Sequence, residues 1–320
     1  MLPIWLKERL VYSGDYAAYL VVRLVVAVIQ ATTPERCDRW SRLLAKVLNR
    51  VAGSRQRLIH ANLERVFPTW KPYRTSEVAL AMWHHLMLMV CEIAHAPRKI
   101  HRTNWYDYYH IEDRRLILKF IFDARPKIMV TGHFGNFELG GYLSGLFGFP
   151  STTLARPMDN RFLHDYIMRF RSLGGQHFIA KDGSAHLIQA LLESGGTLSL
   201  LADQDAGTKG CWVNFLGSPA SCHKALAIFT LSNQAPMMVC FNRRLHRAFH
   251  YEFVVTGVAD PQKPEPYLES VQSLTQWYND RLEQGIRETP EQYWWVHNRW
   301  RAPPERLRRQ SELQRLRQTA

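Results

Sequence analysis

The stretch 127-KIMVTGHFGNFELGG-141 decides how the chain is read. Residues 127–131 form a short apolar run of strand length. Gly132 and Gly135 then mark a turn, and a helical pattern begins at Phe137. A strand that passes through a glycine turn into a helix opens an α/β unit. The same alternation continues outward. Apolar runs at 151–155, 176–179, 197–202, 236–241 and 251–257 alternate with helical stretches at 137–146, 161–173, 184–192, 223–233 and 267–287. This pattern predicts an α/β fold with a single mixed, largely parallel sheet flanked by helices. There is no internal repeat and no long linker.

Upstream of that sheet, residues 1–125 read mostly as helix, with examples at 35–51 and 76–94. Residues 10–31 are rich in Leu, Val, Ala and Tyr, and no small-residue cleavage site follows, which argues against a removable signal peptide. At 100° per residue, Tyr12, Asp15, Tyr16, Tyr19, Arg23 and Gln30 fall on about one third of the helix circumference, and the rest is apolar. Such a helix suits a place in the membrane interface, insertion into one leaflet, or packing of its polar stripe on the protein. The organisation expected is a membrane-associating helix at 1–33, a catalytic domain with a helical N-terminal portion at 34–302, and a basic tail at 303–320.

Charge points the same way. The chain has 320 residues, 41 Lys and Arg against 28 Asp and Glu, and a net charge of +13. Ten of the cations lie between Pro34 and Arg74, against only Glu35, Asp38 and Glu64. Seven Arg between Arg299 and Arg317 face Glu305 and Glu312. Cations just after an apolar helix favour anionic headgroups and the cytoplasmic side of a membrane. The 46% hydrophobic content excludes a disordered or collagen-like chain. Cys37, Cys91, Cys211, Cys222 and Cys240 are odd in number and make no C-x-x-C pair, so inert buried thiols are expected rather than disulfides or a cysteine zinc site.

His133 falls at the C-terminal end of the 127–131 strand, the edge where open α/β sheets bind ligands. Glu138 follows one turn into the helix. The N–H groups of Phe134, Gly135 and Asn136 at the helix start suit an oxyanion or phosphate, which makes Asn136 a substrate-binding candidate. Spacing alone is weak evidence. With 14 His and 28 acids, roughly one H-x-x-x-x-[DE] match is expected by chance, and two occur: His133 with Glu138 and His177 with Asp182. Only the first has the strand–turn–helix context.

Further segments lie in order along the chain: 154-LARPMDN-160, Arg171, 202-ADQDAG-207, 213-VNFLGSPA-220 and 290-PEQYWWVHNRWR-301. With 132-GHFGNFE-138 and the apolar N-terminal helix, they resemble the lipid A late acyltransferases (lauroyl and myristoyl acyltransferases) of the wider lysophospholipid acyltransferase group. Nearly the whole chain takes part. The resemblance implies transfer of an acyl group from an acyl-carrier-protein thioester, or an acyl-CoA thioester, to a hydroxyl of a membrane glycolipid. It also implies no cofactor and no metal, and a place on the cytoplasmic face of the cell inner membrane. His133 would be the general base, since imidazole has the ordinary side-chain pKa nearest neutrality. Glu138 would orient the ring and stabilise the imidazolium. Arg156 and Arg171 would hold a substrate phosphate or the developing oxyanion, with Asp203 positioning an Arg or His133. His297 and Arg299 are weaker site candidates, and Tyr293, Trp294 and Trp295 read as core aromatics. No Ser or Cys nucleophile is needed and no G-x-S-x-G elbow is present, so direct transfer is favoured over an acyl-enzyme.

Other readings keep the chemistry and change the acceptor to a lysophospholipid, an ornithine lipid or a phosphoinositide mannoside. A non-enzymatic nucleic-acid binder would explain the charge, but no C₂H₂ spacing, RNP-like motif or helix-turn-helix signature is present, so no specific nucleic acid is expected. A metal-dependent hydrolase using His84, His85 and His95 lacks H-E-x-x-H spacing.

Overall fold

A computed structural model describes residues 3–180 and 183–302. In chain order the helices before the sheet are α1 (Ile4–Gln30), α2 (Pro34–Val51), α3 (Gly53–Val66) and α4 (Pro72–Lys99). After them come β1 (Tyr109–Ile111), α5 (Arg114–Ile121), β2 (Lys127–Thr131), α6 (Phe137–Leu146), β3 (Ser151–Ala155), α7 (Arg161–Leu173), β4 (Gln176–Ala180), α8 (Ala185–Glu193) and β5 (Thr197–Leu201). The chain continues through β6 (Cys211–Phe215), β7 (Ser218–Cys222), α9 (Ala225–Ser232), β8 (Met237–Arg244), β9 (Tyr251–Ala259) and α10 (Val271–Glu288).

Seven strands form one sheet in the order β1-β9-β8-β2-β5-β3-β4. Every neighbouring pair is parallel except β8 and β9, which form an antiparallel hairpin. This is the mixed, largely parallel sheet expected. Its alternate residues face two helical layers: Ile128, Val130, Met237 and Val239 join the main core with α9 and α10, while Met238 and Cys240 pack on Phe120 of α5. Two features went unread in the sequence, the three-residue β1 and the separate β6–β7 hairpin.

The polar stripe of α1 packs on the protein. Tyr12 and Tyr16 meet the ring of Phe162 edge-on, Arg161 lies over Tyr12, and the Gln30 amide donates to the Ala94 carbonyl at 2.7 Å. The opposite face, with Val21, Leu24, Val25 and Val28, is exposed. Residues Arg9–Gln30 are long and apolar enough to cross a membrane, and almost none of that window is buried. The 28-residue α4 meets the same test, but more than half of its apolar window is buried in the core.

Helix α2 has three faces. Cys37, Ser41 and Ala45 are buried, chiefly against α4. Trp40, Leu43, Leu44, Val47 and Val51 recur at helical spacing on a second, exposed apolar face. Arg39, Arg42, Lys46 and Arg50 occupy the third.

Candidate active site

Parallel strands β2, β5 and β3 end at one edge of the sheet, and the turn after β2 carries His133 across it. Gly135 makes this turn possible. Its φ is +60°, and a Cβ there would lie 2.0 Å from the Asn242 carbonyl oxygen of β8. Only glycine combines that backbone with so close an approach.

Asp203, two residues past β5, meets His133 twice. The His133 backbone N–H donates to Oδ2 at 2.7 Å, and ring Nδ1 lies 2.8 Å from Oδ1. The side chain of Asp203 is 2% exposed and that of His133 is 17% exposed. Burial pushes the Asp203 carboxyl up, but the charge of His133 and the two hydrogen bonds outweigh it and hold the group below the usual carboxylate range. An ionised Asp203 can only accept, so Nδ1 carries a proton, and in the neutral ring Nε2 is left as an acceptor. That is the tautomer a general base needs. Phe137 and Trp294 place their rings about the imidazole at centroid separations of 5.0 and 5.1 Å.

Glu138 does not bond to the ring. It accepts from Arg171 of α7, with Nε 2.9 Å from Oε2 and Nη2 against Oε1. Asp203, rather than Glu138, is the carboxylate in contact with the ring, and Glu138 at the helix start faces α7. His133, Glu138 and Arg171 nevertheless line one cavity of about 160 Å³ between the sheet and α6. A second cavity of about 490 Å³, with apolar walls that include Ile117, Leu143, Phe147 and Met238, shares Met129, Gly140, Ser144 and Phe253 with it.

Asn136 and Arg156 do not line the His133 cavity. Asn136 is fully buried; its side-chain Oδ1 caps α6 by accepting from Leu139 N–H, and its Nδ2 donates to Glu92 at 3.0 Å. It is the N-cap of α6. The expected oxyanion donors of the turn are also engaged: Gly135 N–H bonds to the Gln292 carbonyl and Asn136 N–H to that of Asn242. Of the three, at most Phe134 N–H is left. Arg156, after β3, has a side chain 82% exposed at the surface and 3.8 Å from Asp159.

Beneath the turn lies a buried network. Glu92 accepts from Arg244 at 2.7 and 2.5 Å and from Phe249 N–H at 3.1 Å. Arg244 also donates to Nδ1 of His85, whose Nε2–H donates to the Gly135 carbonyl at 3.2 Å. Burial holds the His85 imidazole well below its ordinary pKa, and Arg244 adds to the effect. His84 bonds to Asp38 at 2.7 Å, and His95 lies 3.7 Å from the Cys37 sulfur, so the three histidines have separate partners. The cysteines form no disulfide, and burial pushes the thiols of Cys37 and Cys240 up to about 12.

The motif after β5 contributes more than the sequence suggested. Gln204 places its amide nitrogen 3.2 Å from His133 Nε2. His297 Nε2 accepts from Asp205 N–H at 3.0 Å, and burial keeps this imidazole below its ordinary pKa. Arg301 lies 3.4 Å from the Asp205 carboxylate. Arg299 is buried against the Ser221 carbonyl, the Cys222 sulfur and the Phe215 ring, so it holds the β6–β7 hairpin. Gln204 was not singled out in the sequence, although it stands between the two acids of 202-ADQDAG-207.

A profile of the bacterial lipid A biosynthesis acyltransferases matches residues 6–302. The chain is 24% identical over 257 residues to the lipid A biosynthesis palmitoleoyltransferase of Escherichia coli (strain K12), which covers 78% of this chain and 80% of that one. It is also 24% identical over 304 residues to the lipid A biosynthesis lauroyltransferase of the same strain, covering 92% of each. Against the crystal structure of the 1-acyl-sn-glycerophosphate acyltransferase of Thermotoga maritima, the sequence identity is 13%. The match covers 81% of this chain and 100% of that one, at a TM-score of 0.37.

Proposed function

The chain belongs to the bacterial lipid A biosynthesis acyltransferase family, and from that premise we propose that it moves a fatty acyl chain from an acyl-carrier-protein thioester to a hydroxyl of a lipid A-type glycolipid, with His133 as general base. The observation that carries this reading is the imidazole fixed by buried Asp203 at the strand edge, in a cleft that adjoins an apolar cavity. A hydroxyl is a poor nucleophile at neutral pH. Nε2 of His133 takes its proton as the oxygen attacks the thioester carbonyl carbon. The tetrahedral intermediate then collapses, the C–S bond breaks, and the proton on Nε2 passes to the leaving thiolate. Asp203 stabilises the transient imidazolium, and the assistance is worth about 10²–10⁴-fold in rate.

The apolar cavity is suited to the acyl chain. Glu138 and Arg171 present an acceptor and a donor side by side to the polar headgroup, and Glu138 supports His133 by keeping the Arg171 charge matched beside it. The outward faces of α1 and α2 support residence on the cytoplasmic face of an inner membrane, apolar toward the bilayer and basic toward its headgroups.

The test is to incubate the membrane-bound protein with labelled acyl-carrier-protein and acyl-CoA thioesters and a panel of lipid acceptors, followed by mass spectrometry. Transfer to a lipid A precursor that disappears in His133→Ala and Glu138→Ala supports the proposal. Full transfer by a folded His133→Ala protein overturns the mechanism, and transfer confined to another lipid overturns the acceptor.

A further inference from the structure

The transition state proposed above needs a donor for the negative charge that develops on the thioester oxygen, and the backbone does not supply the expected set. Gly135 and Asn136 N–H bond within the fold, which leaves Phe134 N–H alone of the three; Arg171 is paired with Glu138 and assigned above to the headgroup, and Arg156 lies at the surface. Among the described residues, the polar side chain against the reacting nitrogen is that of Gln204. Gln204 Nε2 donates to His133 Nε2 at 3.2 Å, where the acceptor hydroxyl must sit to give up its proton. The amide is a stand-in for that O–H donor. The backbone on either side of it is pinned, by the Asp203 bonds to His133 and by the bond from Asp205 N–H to His297. The half-buried Gln204 side chain is therefore the part of the segment free to turn about its own bonds.

Resting on the acyl-transfer reading, we propose that Gln204 is a catalytic residue with two successive partners. In the resting enzyme it caps the lone pair of the base. When the acceptor hydroxyl arrives it gives up that position, and its N–H donates to the carbonyl oxygen as that oxygen becomes an oxyanion. The proton bookkeeping is unchanged: the hydroxyl proton goes to Nε2 and then to the leaving sulfur, and Gln204 keeps both of its own. An uncharged donor is well suited to this place, since a cation there would lower the basicity of the imidazole it touches.

Steady-state transfer from an acyl-carrier-protein thioester, read beside wild type and His133→Ala, tests this. Loss of one oxyanion donor costs about 10²–10³-fold in kcat, so Gln204→Ala is expected to lose that much with KM changed only a few-fold. The near-isosteric Gln204→Glu puts a carboxylate beside Nε2 and is expected to move the acidic limb of the kcat/KM pH profile upward, a shift that a merely structural residue would not produce. Wild-type or faster turnover by Gln204→Ala, or an unmoved profile in Gln204→Glu, overturns the inference. The controls keep the two readings apart: active wild type with inactive His133→Ala upholds the acyl-transfer mechanism whatever Gln204 does.

Discussion

Nδ1 of His133 faces an acceptor that is fully buried, so its proton has one place to point. Asp203→Asn tests how much that matters. The Asn oxygen can still accept from the His133 backbone N–H, which turns the amide nitrogen toward Nδ1 and drives the ring proton to Nε2. The wrong tautomer is expected to cost on the order of 10³–10⁴-fold in kcat with the fold retained, measured by initial rates and circular dichroism. His85 gives a second residue-scale outcome. Its folded-state pKa lies well below the ordinary value while the unfolded chain keeps it near about 6.5, so the unfolded state binds more protons as pH falls below that value. Stability is expected to fall with decreasing pH in that range, by up to about 1.4 kcal/mol per pH unit for this group. His85→Gln is expected to flatten the slope in denaturant titrations at pH 7.5 and 5.5 without abolishing it, since His84, His95 and His297 are shifted the same way. The sequence showed His133 and its companions Asp203 and Arg171 through ordered motifs. It did not show which carboxylate serves which base, because His133 and Asp203 are 70 positions apart and meet only through the β2–β5 register.

At the scale of elements, the apolar run before His133 and the helix after it were legible because a strand of period two and a helix of period 3.6 leave different patterns. The missed pieces had weaker signals. β1 is three residues that gain order only by pairing with β9, and β7 contains Pro219, which demotes a strand in any local reading. The helix read across 267–287 is a single turn of 3₁₀ helix followed by α10, which starts afresh at Ser270 with a capping box to Ser273. The pair was visible as two serines three apart. α2 carries the element-scale prediction. Its exposed apolar face, with Leu43 60% and Leu44 53% exposed, has no covering element among the described residues. Leu43→Glu with Leu44→Glu is expected to reduce sedimentation with phosphatidylglycerol vesicles at least several-fold. Thermal stability in detergent should stay within about 0.5 kcal/mol per site, as for other surface changes. Unchanged vesicle binding would remove α2 from the membrane-facing surface.

Taken whole, the molecule ties its outer helix to its reaction centre through α4 and α7. α7 meets α1 with Phe162 and Tyr166 at its start, and near its end it supplies Arg171 to Glu138. The net charge of +13 has an address in this frame, with the 34–74 cations mostly along α2 and α3 beside the apolar faces; the basic tail at 303–320 lies outside the described residues. The aromatic seam between α1 and α7 also bears on attempts to obtain a water-soluble form. Deleting residues 1–33 strips away a greasy exterior but uncovers Phe162 and Tyr166, with each lost ring pairing worth about 0.5–1.5 kcal/mol beyond its buried area. The shortened protein is expected to exchange detergent dependence for self-association, seen as higher-order species in light scattering, and to loosen the Arg171 end of α7. Polar replacements on the outward side of α1, at Val21, Leu24, Val25 and Val28, leave the seam closed and are the better route to a monodisperse catalyst.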